Sequence, residues 1–377
     1  MAGSRHHRLT ETENQFFSLL RAGLWNEVPD ASLFASGADW EGLYRLASEQ
    51  TVVGHVTGGI NRLGTECLPR EPERLDPFLG DLVATSRRNA KLDGFTAKLF
   101  EALEGVPAVL VKGQALAQDY LDPQVRQPGD IDILLPPQAY ARAKEILLPK
   151  ATKVMDEEPA ILHQGMMFGS VEVELHGSIS TLMSRRLDRR LSGMVEELFR
   201  QESLPSVMLA ERAVPVPDAL FNAVYIFVHF LHHYWSGGVG LRQLADWTMY
   251  LSVHKREIDP GQLRERLENL GLERLWSAFT GFSVSYLGCP AEKLPLCGSL
   301  SPEKGRRIWN DIRRCGNFGK SISRSRGGES YWTRKVHSFW QLVVRDRLRH
   351  FPAFPAESLR FFLGATGYGL ERLAKGE

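Results

Sequence analysis

VLVKGQALAQDYLDPQVRQPGDIDILL, residues 109–135, is the stretch that decides the fold of this chain. In a strand, alternate side chains point the same way. Asp130 and Asp132, separated by Ile131, therefore project together, while Ile131 and Ile133 face a buried side. Two carboxylates that close repel one another unless a cation neutralises them. An oxygen-rich pair of this kind suits Mg²⁺, which keeps several waters and takes one or two carboxylates together with substrate phosphates. The pair reads as the start of a phosphoryl- or nucleotidyl-transfer site. Around it, residues 107–112 form a short apolar run that ends in Lys112-Gly113, the pattern of a buried strand. Residues 114–120 predict a short helix, 122–129 a turn-rich loop and 131–135 a second strand. Pro136 and Pro137 close that strand and open a helix through residue 148, because proline is tolerated at the first helical position.

Further along, residues 160–168 and 171–176 predict a hairpin turning at Gly169-Ser170. In its second arm Val171, Val173 and Leu175 share one face, and Glu172, Glu174 and His176 share the other. Asp-x-Asp alone occurs by chance on many solvated strand ends. Three neighbours raise its meaning here. Lys112-Gly113 lets the chain approach a triphosphate closely and supplies positive charge. Arg126 sits on the loop before the pair, and Glu174 adds a third carboxylate from a nearby strand. Three carboxylates from two strands, with a lysine and an arginine, are the parts of two-metal phosphoryl transfer. The reading requires the three acids to converge, with no basic side chain plugging the space between them.

Residues 109–135, followed by LHQGMMFGSVEVELH at 162–176, resemble the nucleotidyltransferase-fold superfamily of polymerase β. More narrowly they resemble its uncharacterised nucleotidyltransferase family of bacterial gene clusters. The family pattern is a Lys-Gly after the first strand, then an Arg, then Asp-x-Asp, then an acidic-x-His strand. Lys112-Gly113, Arg126, Asp130, Asp132, Glu174 and His176 match it one by one. The likeness covers most of residues 30–255, including Trp40, His229 and the Arg242 to Trp247 stretch, and is thin after 290. Gln114 stands where the superfamily usually has a phosphate-touching serine, and Glu174 where aspartate is commoner. The resemblance implies that Asp130 and Asp132 hold Mg²⁺ on a triphosphate. It implies that Glu174 completes a second metal site and helps deprotonate an acceptor hydroxyl. Lys112, Gly113 and Arg126 would bind the phosphates, with pyrophosphate as product.

The remaining sequence reads as helical on both sides of this core. Apolar residues recur at helical spacing through residues 12–105, with one long helix at 77–103 and Leu79, Leu82, Val83, Leu92, Phe95, Leu99 and Leu103 as its core candidates. Helices are expected at 218–235, 241–254, 260–270 and 275–287; residues 181–207 give a weak, mixed pattern, and 288–305 a connector. The expected architecture is α+β: a small mixed sheet at 106–210 between helical regions at 1–105 and 211–377.

At 377 residues, 43% hydrophobic and net charge +1, the chain is an ordinary globular protein, and no global field argues for nucleic-acid binding. Four cysteines without CxxC spacing argue against a zinc cluster or a disulfide framework and fit a reducing cytoplasm. The first residues lack the apolar core of a secretory signal, and the most apolar run, 219–231, is too short to span a bilayer.

Lesser candidates each carry a bland reading. His6 and His7 lie near a polar terminus and are expected to be unstructured rather than metal-binding. His163 faces His176 across the predicted hairpin; His163 reads as a histidine satisfied by its surroundings, and His176 is a cleft candidate. His229 and His233, four apart on one helix, read as cleft lining in preference to a zinc pair. Arg242 and Asp246, also four apart, form either an intrahelical ion pair or a cleft wall. The loop with Lys320, Arg324 and Arg326, and the aromatic basic tail at 332–351, read as a solvated segment and a core-packed helix.

The leading expectation is a transferase, dependent on two Mg²⁺ ions, that moves NMP from an NTP, ATP by default, to a hydroxyl of a small molecule, peptide or protein. The alternatives are a tailoring enzyme with a nucleotide-sugar donor and a non-catalytic nucleotide- or partner-binding module.

Overall fold

The computed structural model describes residues 9–181, 183–316 and 349–375. His6, His7, the loop with Lys320, Arg324 and Arg326, and most of the tail at 332–351 lie outside the described residues. Four helices come first: α1 (Glu11–Trp25), α2 (Trp40–Glu49), α3 (Val53–Ile60) and α4 (Asp76–Ala102). Thr10 and Glu13 start α1 with a capping box, in which each side chain accepts from the other's backbone amide. The α/β part follows as β1 (Val109–Val111), α5 (Gly113–Ala117), β2 (Ile131–Leu134), α6 (Pro137–Leu147), β3 (Lys153–Val154), β4 (His163–Phe168) and β5 (Val171–His176). Then come α7 (Arg185–Leu198) and the pair β6 (Ser206–Leu209) and β7 (Arg212–Pro215). Six further helices complete the described chain: α8 (Ala219–Ser236), α9 (Leu241–His254), α10 (Pro260–Leu270), α11 (Glu273–Leu287), α12 (Pro302–Cys315) and α13 (Pro355–Lys375). None of the described helices is long and apolar enough to cross a membrane.

The five-stranded sheet has the order β1-β2-β5-β4-β3. It is mixed: β2 and β5 run parallel, and the other pairs are antiparallel. The protein is therefore α+β, with a small mixed sheet flanked by helices, as the sequence led us to expect. The parallel pairing decides the site, because its register sets Asp132 opposite Glu174. The alternation read from the sequence appears directly in burial: Val171, Val173 and Leu175 are buried, and Glu172, Glu174 and His176 are half-buried.

Two apolar cores hold the molecule. One joins the sheet to α6, the second half of α4 and the β6–β7 pair, through residues such as Leu99, Ile133, Tyr140 and Val173. The other joins the first three helices to α8 through α13, with Phe17 edge-on to Trp309 at 4.8 Å between ring centroids. Helices from the two ends of the sequence thus share one core, and Glu13 ties them. Its carboxylate accepts from Arg306 at 2.7 Å and from the Trp309 indole at 2.8 Å.

The structure corrects several sequence expectations. Leu79 and Val83 are exposed at 47% and 50%, not core; the first half of α4 turns Phe78 into the core and packs Asp81 on Tyr44 of α2, which leaves these two on the outward side. The first arm of the hairpin begins at His163; the 3-10 turn Pro159–Ile161 and left-handed Leu162 precede it. Helix α7 occupies part of the stretch that gave a weak pattern. Its buried Leu187, Leu191, Met194, Val195 and Leu198 do repeat at helical spacing. Helix α12 emerges from the expected connector, capped by Ser301 with Pro302 at its first turn.

Candidate functional site

The chain leaves β1 through Lys112, whose backbone sits at φ 60° and ψ −150°. That region costs a non-glycine residue about 1–3 kcal/mol and persists where surrounding structure dictates it. Gly113 follows at φ 46°, with its Cα so placed that a Cβ would lie 3.2 Å from the carbonyl oxygen of Asp130. This tight turn sends the Lys112 side chain over the sheet, where its Nζ lies 2.8 Å from Asp132 Oδ1. Asp132 is 1% exposed, with Ile131 and Ile133 buried on the opposite face.

Acceptor oxygens of Asp130, Asp132 and Glu174 all lie within 4.8 Å of one another. The three acids converge, as the sequence reading required. Like charge from Asp132, with burial, pushes Asp130 up to about 6. Asp132 is held below the ordinary carboxylate range: burial opposes its ionisation, but Lys112 and the hydrogen bond to His176 outweigh it. Glu174 also lies low, because hydrogen bonds to His163 and His176 overcome its burial. His176 Nε2 stands 2.9 Å from Asp132 Oδ1 and 3.3 Å from Glu174 Oε2. Burial disfavours its protonation, yet these two acids raise it to about 8. His176 stands between Asp132 and Glu174, a basic side chain in part of the space that the sequence reading required to be clear, and Lys112 also holds Asp132; no ion pair or hydrogen bond from either reaches Asp130 among the described residues.

The donor set is hard and all-oxygen, and a dication among the acids would relieve the repulsion that Asp130 and Asp132 exert on each other. The three acids could therefore hold a divalent metal ion.

All nine site residues named from the sequence line one cavity of about 330 Å³. They do so in different ways. Arg126 does not lie free on a swinging loop. It is 3% exposed and donates from Nε and Nη2 to the two oxygens of Asp246, each at 2.8 Å. Asn89 of α4 pins the same loop by donating to the carbonyls of Gln124 and Arg126 at 2.9 and 2.8 Å. Only Nη1 of Arg126 has no hydrogen-bond partner among the described residues. Asp246 also accepts from the Tyr120 hydroxyl at 2.8 Å, so its strong partners come from another part of the chain and not from its own helix. Arg242 donates to the Gln127 carbonyl at 2.9 Å and borders Gly129, beside Asp130. Gln114, at the position where a serine was expected, turns away from the cavity and donates to Asp93 at 2.6 Å.

A protein family described as uncharacterised nucleotidyltransferase matches residues 36–288, more than half of the chain and all of this cavity's lining. The chain belongs to that family. No curated protein and no solved structure matches it. For a nucleotidyltransferase-family member, the match spans the strained Lys112 turn, the acid trio and the opposite wall from α8 and α9 alike.

That wall holds one residue that sequence reasoning missed, Tyr225. Tyr225, His229 and His233 follow one another at four-residue spacing along α8 and line the cavity. Lys112 Nζ is 3.1 Å from His229 Nε2, which in turn is 3.0 Å from His233 Nε2. Burial and the surrounding cations keep both rings neutral, with His233 lowered to about 3. Burial raises the Tyr225 hydroxyl well above its ordinary range. His229 and His233 line the cleft, as expected. The signal for Tyr225 was present: a polar stripe every fourth residue on an otherwise apolar helix. His163, read as a bland histidine, lies in the cavity wall with Nε2 3.3 Å from Glu174 Oε2.

Proposed function

We propose that this nucleotidyltransferase-family protein is a Mg²⁺-dependent enzyme that moves NMP from an NTP, with ATP as default donor, to a hydroxyl acceptor and releases pyrophosphate. The convergence of Asp130, Asp132 and Glu174 within 4.8 Å, at the floor of a cavity that also holds Lys112, carries the reading. The three acids would hold the ions; bound Mg²⁺ would activate the attacking oxygen and steady the leaving one. Lys112, fixed by its strained turn and its pair with Asp132, places positive charge where a triphosphate would lie. Arg126 offers Nη1 alone, since its other nitrogens are committed to Asp246. Glu174 is a weak base in this setting, so we assign it to holding an ion and not to removing the acceptor proton. Because these groups are fixed before substrate arrives, electrostatic preorganisation supplies most of the rate enhancement in this scheme. Tyr225 and the α8 histidines wall the side left for the acceptor. The free cysteines Cys67, Cys289 and Cys297 support a reducing, cytoplasmic setting.

The test is incubation with each labelled NTP, Mg²⁺ and panels of small-molecule, peptide and protein hydroxyls, beside the Asp130→Ala/Asp132→Ala variant. Pyrophosphate release that chelation and the double substitution both abolish is the expected result. Tight NTP binding with no turnover on any acceptor would replace it with a binding module. Nucleoside diphosphate released from a nucleotide-sugar would replace it with glycosyl transfer.

A further inference from the structure

We propose that His163, His176 and Glu174 form a second cation site of mixed nitrogen and oxygen donors, one that takes Zn²⁺ in preference to Mg²⁺. The register of β4 and β5 sets His163 directly opposite His176, with ring centroids 4.9 Å apart. Both rings aim Nε2 at the same carboxylate oxygen, Glu174 Oε2, each at 3.3 Å. Ligand atoms about 2.0–2.1 Å from one tetrahedral ion lie about 3.3–3.4 Å from one another. Two of the three donor spacings thus match those around a single first-row dication, and the third lies within 4.8 Å.

Donor chemistry separates this group from the acid trio. Imidazole suits zinc and its neighbours, while Mg²⁺ prefers oxygen alone. Glu158 Oε1 lies 3.9 Å from His163 Nδ1, a distance of charge proximity and not of a hydrogen bond. Three protein donors on a cavity wall leave further positions for water or substrate, the pattern of reactive and not of structural zinc. Glu174 belongs to both groups, so the zinc position adjoins the proposed Mg²⁺ site. The inference does not depend on transferase activity, since the donors alone define it.

The full chain, stripped with chelator, is titrated with Co²⁺ as a spectroscopic stand-in and with Zn²⁺ by calorimetry, in millimolar Mg²⁺ and without nucleotide. One Co²⁺ per chain is expected, with visible d–d absorption that Zn²⁺ displaces and Mg²⁺ does not. Proton NMR of the unsubstituted Co²⁺ protein should show two hyperfine-shifted imidazole N–H signals. Outer-shell changes cost 10–100-fold in metal affinity, so removing a direct ligand by His163→Ala or His163→Gln should weaken Zn²⁺ binding by more than about 100-fold. Asp130→Asn should leave the spectrum intact. Zn²⁺ affinity unchanged in both His163 variants would overturn the site, as would a Co²⁺ form without shifted imidazole signals or a spectrum lost in Asp130→Asn. The NMR result stands even if the His163 variants do not fold. A failed transferase reading would show in the absence of pyrophosphate release, which none of these measurements reads.

Discussion

Arg126 and Asp246 make the clearest quantitative case, because sequence and structure give them different jobs. The sequence puts Arg126 on phosphate. The structure puts it in a buried two-pronged pair with Asp246, at 4% and 5% side-chain exposure, with Tyr120 on the same carboxylate. Arg126→Met leaves a buried carboxylate whose remaining cation is Arg242, and breaking such a pair costs about 3–5 kcal/mol. Asp246→Asn is the harsher change, at or above the top of that range, because two buried guanidiniums then face each other with no anion between them. Arg126→Lys keeps the charge but loses one charge-assisted hydrogen bond, about 1.5–3 kcal/mol. Arg126→Met combined with Asp246→Asn removes both members, keeps an acceptor for Tyr120, and should recover most of the single-variant loss. Urea unfolding followed by fluorescence of the eight tryptophans measures each midpoint, with unchanged slopes licensing the comparison. The reasoning fails if Arg126→Met unfolds at the parent midpoint while weakening NTP binding tenfold. That outcome would restore the phosphate role and remove the strut.

Three other outcomes are expected. Glu13→Ala should cost about 3–5 kcal/mol by leaving Arg306 and the Trp309 indole without their shared acceptor. Burial works against ionised Glu13, but its bonds to Thr10, Arg306 and Trp309 lower it below its ordinary value. Its stabilisation is therefore full above the unfolded carboxylate range near pH 4.5 and fades as pH falls through the lower folded value, a slope that Glu13→Ala should flatten in acid-unfolding curves. Lys112→Gly should be about 1–3 kcal/mol more stable than Lys112→Ala, since only glycine relaxes at φ 60°; equal urea midpoints would show that the turn stores no strain. Gly54→Ala would set a Cβ 2.1 Å from the Val125 carbonyl, beside the Arg126 loop, and should cost about 1–3 kcal/mol by thermal unfolding.

Much of the candidate site is local and therefore legible. Asp130-Ile131-Asp132 and Val171 to His176 each declare a strand with one apolar and one polar face, and the structure keeps both faces. Long apolar helices such as α8 and α9 announce their ends through Asp218 and the Ser236-Gly237-Gly238 break. Helix α12 was hidden because Pro302 and Gly305 read as connector residues, although Ile308, Trp309 and Ile312 share a face. Leu79 and Val83 misled because helical spacing states which residues share a face, not whether anything covers it.

The sequence by itself determined which residue types are available and how each is turned within its own strand or helix: two aspartates on one face, an acidic-x-His strand, a Lys-Gly exit. Backbone geometry repeats every two or 3.6 residues, so these relations need only neighbours in the chain. Only the tertiary structure decided the rest. The parallel pairing of β2 with β5 set Asp132 against Glu174. Packing of α9 took Arg126 for Asp246, across 120 residues of sequence. Such choices follow from which apolar faces bury one another, a property of the whole chain that no local pattern contains.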